Sequence, residues 1–326
     1  MNVYVVGKGA VGSFLGEQLR SIGNEVTYAP RDLAAVEPQD VDLAIVAAKS
    51  YDTPGAIETL RRALRDPSKT TIVTPQNGVG NEELLAAAFG AGRIVACALT
   101  VPVGLTDDGR PVAANGGAIV FAPVDPASPH NWVLAAFGAT GMAVSAVPDY
   151  RALKWSKLAL NIVANASCAI LNVLPERLVH MSDVFALEIR AVREVRDVMK
   201  ARRIAAIDLP RYPVRALFAA VSLPVPLARV LLAGRVAGAR GRKPPSLLLD
   251  QRAGKRQTEV AVLNGAVAEA AREAGIAAPV NTTLARVVCD IAEMPHLWAK
   301  YRERPAALEA EVQAERARNP RSTAPA

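Results

Sequence analysis

Lys157, Asn161 and Asn165 recur at four-residue intervals in the run Lys154-Trp155-Ser156-Lys157-Leu158-Ala159-Leu160-Asn161-Ile162-Val163-Ala164-Asn165, so a helix there aligns them along one slowly drifting stripe. Amides on an otherwise apolar helix are costly to bury without partners, and a polar line of this kind can face a cleft. The competing reading is a solvated face carrying an ordinary surface lysine. A second polar group weighs against it: Thr258-Glu259-Val260 and Leu263-Asn264-Gly265 read as part of another long helix, able to bring a carboxylate to the same cleft. A protonated lysine can donate to a carbonyl oxygen as negative charge develops there, while a carboxylate can hold the lysine or bind a substrate hydroxyl. Lys157 and Glu259 are therefore candidates for paired chemistry on a carbonyl compound. For Glu259 the alternative is an i,i+4 partnership along its own helix.

Such chemistry needs a partner group, and the amino terminus supplies a place for one. Gly7-Lys8-Gly9-Ala10-Val11-Gly12 follows the strand-like run Val3-Tyr4-Val5-Val6 and opens the helix-like run Ser13 to Arg20. A G-x-G-x-x-G match alone is weak; between a strand and a helix it reads as a dinucleotide site. Gly7 permits the tight turn, Gly9 lets backbone approach a pyrophosphate, and Gly12 allows close helix packing. The free N–H groups of the helix start, with Ala10 and Val11, then face the phosphates. A ligand-free glycine turn is the bland alternative. After the next strand, Glu25 to Ala29, the chain continues Pro30-Arg31 where an NAD-binding chain places an acid for the ribose 2′-hydroxyl. A guanidinium there suits a 2′-phosphate, which favours NADP (NADPH) over NAD. Asp32 is the counter-argument, as a partner of Arg31 or as a helix cap.

From Met1 to about Pro148, strand-like and helix-like runs alternate as a mainly parallel sheet requires. Candidate strands are Val3 to Val6, Glu25 to Ala29, Leu43 to Ala47, Thr71 to Thr74, Ile94 to Ala98, Ala118 to Ala122 and Met142 to Ser145. Asn81 is expected to cap a helix through Ala88, with Glu82 and Glu83 favouring its positive end. Asp107-Asp108-Gly109 reads as a turn. After Asp149, itself a candidate cap, helical patterns dominate: Tyr150 to Leu171, Val184 to Arg202, Ser246 to Ala274 and Asn281 to Ile291. The fold class expected is α/β: a Rossmann-type dinucleotide-binding domain over 1–148, an all-helical substrate and catalytic domain over 149–301, and a polar tail over 302–326, disordered in its last part.

Composition narrows the class. With 326 residues, 51% hydrophobic and 21% charged, the chain is long enough for two cores and is not a disordered polymer. Cys97, Cys168 and Cys289 are widely spaced in apolar surroundings, form no metal or redox motif, and read as buried thiols of a reducing compartment. The chain opens directly on a strand, so no leader peptide is expected and the cytoplasm is the expected location. Ala216 to Ala233 is apolar, but Pro224, Pro226 and Arg229 interrupt it, so membrane insertion is not expected. Arg211, Arg215, Arg229, Arg235, Arg240, Arg242 and Lys243 make the surrounding segment basic, leaving surface contact open. The net charge of +7 suits an anionic cofactor and substrate; no nucleic-acid module or aromatic platform accompanies it.

Taken in order, these motifs resemble the ketopantoate reductase (2-dehydropantoate 2-reductase) family over most of residues 1 to 295. They are Gly7 to Gly12, Arg31, Ala47-Ala48-Lys49, Gln76-Asn77-Gly78-Val79-Gly80, Lys154 to Asn165, Ser246 to Asp250, Thr258 to Gly265, and Gly275 to Asn281. The resemblance implies NADPH-dependent reduction of the ketone of a 2-oxo acid, ketopantoate to pantoate, in pantothenate and coenzyme A synthesis. By the matched motifs Lys157 would be the general acid and Glu259 would bind and position substrate. Asn161 and Asn165 would orient substrate, and Ser246 would meet its carboxylate. Arg31 and Lys49 would serve the cofactor's adenine-ribose phosphate end and Asn77 its nicotinamide ribose. Reduction of another branched or aromatic 2-oxo acid, or a silent NADP-binding role, stand as alternatives, and a homodimer is left open. The sequence departs from the family in three places. Only ten residues separate Arg31 from Asp42; Arg252 to Gln257 is one residue longer than in many members; and Asn165-Ala166 replaces an Asn-Pro pair, with a long basic segment from Leu209 to Pro245. An extra residue inside a helix would rotate what precedes it by about 100°.

Overall fold

The computed structural model describes residues 1–113, 117–128, 130–240 and 243–318, without the side chains of residues 237, 239 and 240. Arg242 and the expected disordered end, 319–326, therefore lie outside the described residues. Contacts divide the chain into two compact units, Met1–Lys157 with Leu209–Tyr212, and Leu158–Asp208 with Pro213–Ala326.

The first unit carries the strands β1 (Asn2–Val6), β2 (Glu25–Tyr28), β3 (Leu43–Val46), β4 (Thr71–Thr74), β5 (Ile94–Leu99), β6 (Val103–Leu105), β7 (Pro111–Ala113), β8 (Ile119–Pro123) and β9 (Val144–Ala146). Seven of them form one sheet in the order β2-β1-β3-β4-β5-β8-β9, parallel except where β8 runs against β5. β6 and β7 form a separate hairpin across the Asp107-Asp108-Gly109 turn. Both faces of the sheet are covered, which is why β3, β4 and β5 are buried along their whole length rather than at alternate residues. Of the helices α1 (Ala10–Ser21), α2 (Thr53–Ala63), α3 (Asn81–Phe89), α4 (Asn131–Gly138) and α5 (Tyr150–Ile162), α1 and α4 pack on one face through Phe14, Leu15, Leu19, Val133 and Phe137. α2 and α3 pack on the other through Ala56, Ile57, Leu60 and Leu85. The chain leaves β1 for β2 on one side and returns to β3 on the other. That reversal opens a crevice beyond the carboxyl ends of β1 and β3, where doubly wound sheets bind ligands.

Two capping expectations separate here. Asp149 caps α5 as expected, its Oδ1 accepting the N–H groups of Arg151 and Ala152 at 2.8 and 3.3 Å. Asn81 is not a cap: Gly80, with φ at 101°, holds that position, and Asn81 is the first helical residue with its amide turned inward.

The second unit is built from α6 (Ala166–Leu171), α7 (Pro175–Leu178), α8 (Ser182–Ala201), α9 (Val214–Ser222), α10 (Val225–Arg240), α11 (Ser246–Arg252), α12 (Asn264–Glu273), α13 (Pro279–Glu293), α14 (Trp298–Tyr301) and α15 (Pro305–Arg318). Two long helices expected from sequence are broken. The run Tyr150 to Leu171 stops at Ile162 and resumes at Ala166, because Ala164 takes a left-handed φ of 51°. That conformation costs an L-residue about 1–2 kcal/mol. It is offset locally by Glu188, whose buried Oε2 accepts the Ala164 N–H at 2.6 Å. The run Ser246 to Ala274 divides into α11, a 3-10 turn at Glu259–Val262 and α12, with Gly254 at φ 66° in the first gap. The extra residue of Arg252 to Gln257 thus falls largely in a loop, and no helical rotation is propagated through it.

The segment after Arg302 is also more than a polar tail. α15 buries Leu308 and Val312 completely and packs on α13 and α8. Glu311 pins it to Arg286 and Lys300, each at 2.6 Å. Cys97 and Cys168 are buried free thiols, whereas Cys289 is half-buried. Among the described residues no helix is long and apolar enough to cross a membrane, the apolar run Ala216 to Ala233 being divided between α9 and α10.

Candidate functional site

The glycine turn at the end of β1 has no room for side chains where the motif requires none. Gly7 lies at φ 103°, and a Cβ on it would come within 2.6 Å of the Ala47 carbonyl carbon and collide with Ala48 N. A Cβ on Gly12 would overlap the Gly7 carbonyl oxygen, so the first turn of α1 sits directly against the loop. Gly9 differs: a Cβ there would meet nothing within 4 Å, so the space outside the helix start is open. Gly9 is the N-cap of α1, and the first turn holds no acidic residue to neutralise the unpaired N–H groups of Ala10, Val11 and Gly12. This cradle fits a dinucleotide pyrophosphate. Lys8 adds a cation that sequence reasoning passed over although it lies inside the motif; its ammonium is 5.2 Å from the Tyr28 ring centre.

Arg31 is exposed on the loop after β2. Asp32 serves as the cap of the 3-10 turn Leu33–Ala35, accepting Ala34 N–H at 2.9 Å. Lys49, half-buried, follows β3 at the start of the turn Ser50–Asp52. Asn77 is exposed after β4. Its carbonyl accepts from Ser50 Oγ at 2.9 Å and Asn81 Nδ2 at 3.2 Å, locking the loop after β4 to the loop after β3. Gln76 extends the lock: its Nε2 donates to Ala48 O at 3.0 Å and to Thr53 Oγ1 at 2.9 Å, while Thr74 Oγ1 donates to its Oε1 at 2.9 Å. Within this unit Arg31, Lys49 and Asn77 all follow carboxyl ends of neighbouring parallel strands, as does the glycine turn.

One further lysine in this unit is buried where a lone charge could not stay. Lys154 and Glu82 are 3% and 1% exposed at the side chain, and Nζ lies 2.9 Å from Glu82 Oε1. Nζ also donates to the Gln76 carbonyl oxygen. Burial pushes the Glu82 carboxyl up, and the Lys154 ammonium opposes that shift. Sequence reasoning placed Glu82 at the positive end of a helix and gave Lys154 no role of its own; the position of Lys154 between Leu153 and Trp155 was the available signal. Lys157 follows three residues later on the same side of α5, half-buried, with its ammonium 5.8 Å from the Tyr212 ring centre. The thiol of Cys97 feels both ammonium groups, yet burial pushes it up to about 12, so it stays neutral.

In the second unit the other expected residues separate by environment. Asn161 is half-buried near the end of α5. Asn165 lies beyond the break and so does not share the stripe of Lys157 and Asn161. It is only 3% exposed, its Oδ1 accepts Leu247 N–H at 3.2 Å, and its Nδ2 donates to Asn161 O at 3.2 Å. Asn165 thereby holds the start of α11, whose first residue is the exposed Ser246. Glu259 opens its 3-10 turn at 6% exposure, next to the capping Thr258. Among the described residues no group of three or more His, Cys, Asp or Glu side chains could hold a metal ion.

Comparison with known proteins matches residues 28–126 to the family described as "Ketopantoate reductase PanE/ApbA" and residues 149–292 to "Ketopantoate reductase PanE/ApbA C terminal". A 2-dehydropantoate 2-reductase of Archaeoglobus fulgidus is 28% identical over 88% of this chain and 96% of its own. One of Halobacterium salinarum is 29% identical over 80% of each chain. A ketopantoate reductase crystal structure from Ralstonia eutropha JMP134 superposes with a TM-score of 0.75 at 25% identity, covering 91% of this chain and all of that one.

Proposed function

The chain belongs to the ketopantoate reductase family, and from that premise we propose that it reduces 2-dehydropantoate to pantoate with NADPH, in coenzyme A biosynthesis. One observation carries the reading to these residues. The ammonium of Lys154 touches the Gln76 carbonyl, and Lys157 follows Lys154 one helical turn along α5 as Asn77 follows Gln76 in the loop, which supports the pairing of Lys157 with Asn77.

NADPH, when bound, supplies a hydride to the keto carbon. Gly7, Gly9, Ala10, Val11 and Gly12 would hold its pyrophosphate, Arg31 and Lys49 its adenosine phosphate end, and Asn77 its nicotinamide ribose. Lys157 Nζ donates toward the ketone oxygen, stabilises the negative charge that develops there and then yields its proton. Glu259 binds the substrate hydroxyl, Ser246 meets the substrate carboxylate, and Asn161 orients the substrate. Asn165, whose oxygen accepts Leu247 N–H and whose nitrogen donates to Asn161 O, would orient substrate through the remaining capacity of its amide while holding the start of α11. We take 1–148 and 149–301 as the dinucleotide and substrate domains. A cytoplasmic homodimer completes the reading, with self-association supported by the exposed Leu227, Val230 and Leu231 of α10.

The test is NADPH oxidation on adding ketopantoate, alongside a panel of branched and aromatic 2-oxo acids ranked by kcat/KM. Lys157→Ala should lower kcat by about 100-fold or more while leaving NADPH affinity within about threefold. Equal losses in both would remove Lys157 from the acid role. A higher kcat/KM for an aromatic acid than for ketopantoate would move the substrate assignment. Equal affinity of the wild type for NADH and NADPH would defeat the role given to Arg31.

A further inference from the structure

Lys154 and Glu82 are absorbed by none of the roles above, and the reaction does not need a second lysine for its proton. A cation and an anion at 3% and 1% exposure must each find compensation inside the protein, and each finds the other at 2.9 Å. An apolar pair could fill the same volume at no desolvation cost. What an apolar pair could not do is donate a hydrogen bond to Gln76 O. That carbonyl belongs to the peptide unit from which Asn77 emerges. The side chain of Gln76 is fixed separately to Ala48 and Thr53, and the Asn77 carbonyl to Ser50 and Asn81. These bonds hold the loop to the sheet side, and Lys154 ties it to α5.

We propose that Lys154, anchored by Glu82, is a positioning residue that ties the Gln76-Asn77-Gly78 loop to the helix bearing Lys157, setting the spacing between nicotinamide ring and proton donor. The ion pair directs the ammonium; the hydrogen bond to Gln76 O transmits its position. The inference rests on the reductase reading above. It makes no claim that Lys154 touches the substrate or gives up a proton.

The experiment uses the full chain as wild type and as the double variant Lys154→Met with Glu82→Met, in which both charges leave together and neither is stranded. Melting temperature, NADPH affinity by nicotinamide fluorescence, kcat and KM for ketopantoate are measured. The double variant should fold and bind NADPH within about threefold of wild type, while kcat falls by about 10- to 100-fold, since small misplacement of reacting groups has large kinetic effects. A folded double variant with kcat within about twofold of wild type overturns the proposal, leaving the pair a packing feature. If the double variant does not fold, Glu82→Gln decides: loss of the charge that directs Lys154 should lower kcat with NADPH affinity kept, and an unchanged kcat overturns the proposal. Should the wild type reduce no 2-oxo acid, the reductase reading fails by itself. Positioning is then judged on saturating NADPH, whose nicotinamide emission should fall in the double variant; unchanged emission rejects it.

Discussion

Glu82 in the sheet unit is fully enclosed and Glu194 in the helical unit is half-buried, and the two carboxyls are accommodated by opposite means. Glu82, in the sheet unit, faces a full positive charge, the Lys154 ammonium at 2.9 Å. Glu194, in the helical unit, faces neutral donors: the N–H groups of Val280 and Asn281 at 2.9 and 2.8 Å, and Asn281 Nδ2 at 2.7 Å, all at the start of α13. Burial dominates there and pushes the Glu194 carboxyl up to about 7, with those donors pulling it back only in part. The difference lies in the partner: burial pushes the Glu82 carboxyl up against the pull of a full ammonium charge, whereas Glu194, held mainly by neutral donors, can exchange its proton near neutrality.

Breaking the first arrangement should have the largest effect. Lys154→Met alone strands the Glu82 charge and should cost about 3–5 kcal/mol in urea unfolding, far more than the double variant that removes both charges. Near-equal losses would mean that Glu82 is already protonated in the fold. The second arrangement gives an intermediate effect with a defined sign. The folded value for Glu194 lies above its ordinary 4.5, so its contribution is fully present below that pH and is lost as pH rises toward about 7. Between pH 4.5 and 7.5, wild type should lose about 2–3 kcal/mol relative to Glu194→Gln. A pH-independent difference between the two proteins would refute this.

Glu311 sharpens the contrast from the other side. Lys300 first and Arg286 second hold its carboxyl down at about 2, so it stabilises α15 fully above pH 4.5 and releases it as pH falls from there toward about 2. Its partners, half-buried Arg286 and exposed Lys300, are both in reach of solvent, and Glu311→Gln should cost only about 1 kcal/mol at pH 7, with the difference vanishing in acid. Equal stability of the two proteins at pH 7 would remove the ion pairs from the account.

The sheet unit was legible because its signals are local. Apolar runs bounded by Gly and Asn mark the strands, and Gly7, Arg31, Lys49 and Asn77 each follow a strand end in sequence. The helical unit was legible in class but not in its breaks. Nothing near Ala164 announces a left-handed residue, since the group that accepts its N–H, Glu188, comes from another helix. Sequence shows Asn165 as an amide on an apolar face but not the distant Leu247 N–H that its oxygen accepts. The tail from Arg302 looked polar because α15 buries only a few residues, Leu308 and Val312 at its centre. Lys154 and Glu82 escaped for the same reason as Ala164: each makes sense only with a partner far along the chain.

The enclosure of the Lys154–Glu82 pair has one more consequence. Mobile ions screen charges they can approach, so exposed Arg31, in the role proposed for it, should lose hold on a phosphate as ionic strength rises, whereas a pair sealed from solvent is barely touched. Potassium chloride should therefore loosen the grip on the dinucleotide long before it disturbs the geometry at its reactive end, giving the protein a salt-tolerant turnover step behind a salt-sensitive door.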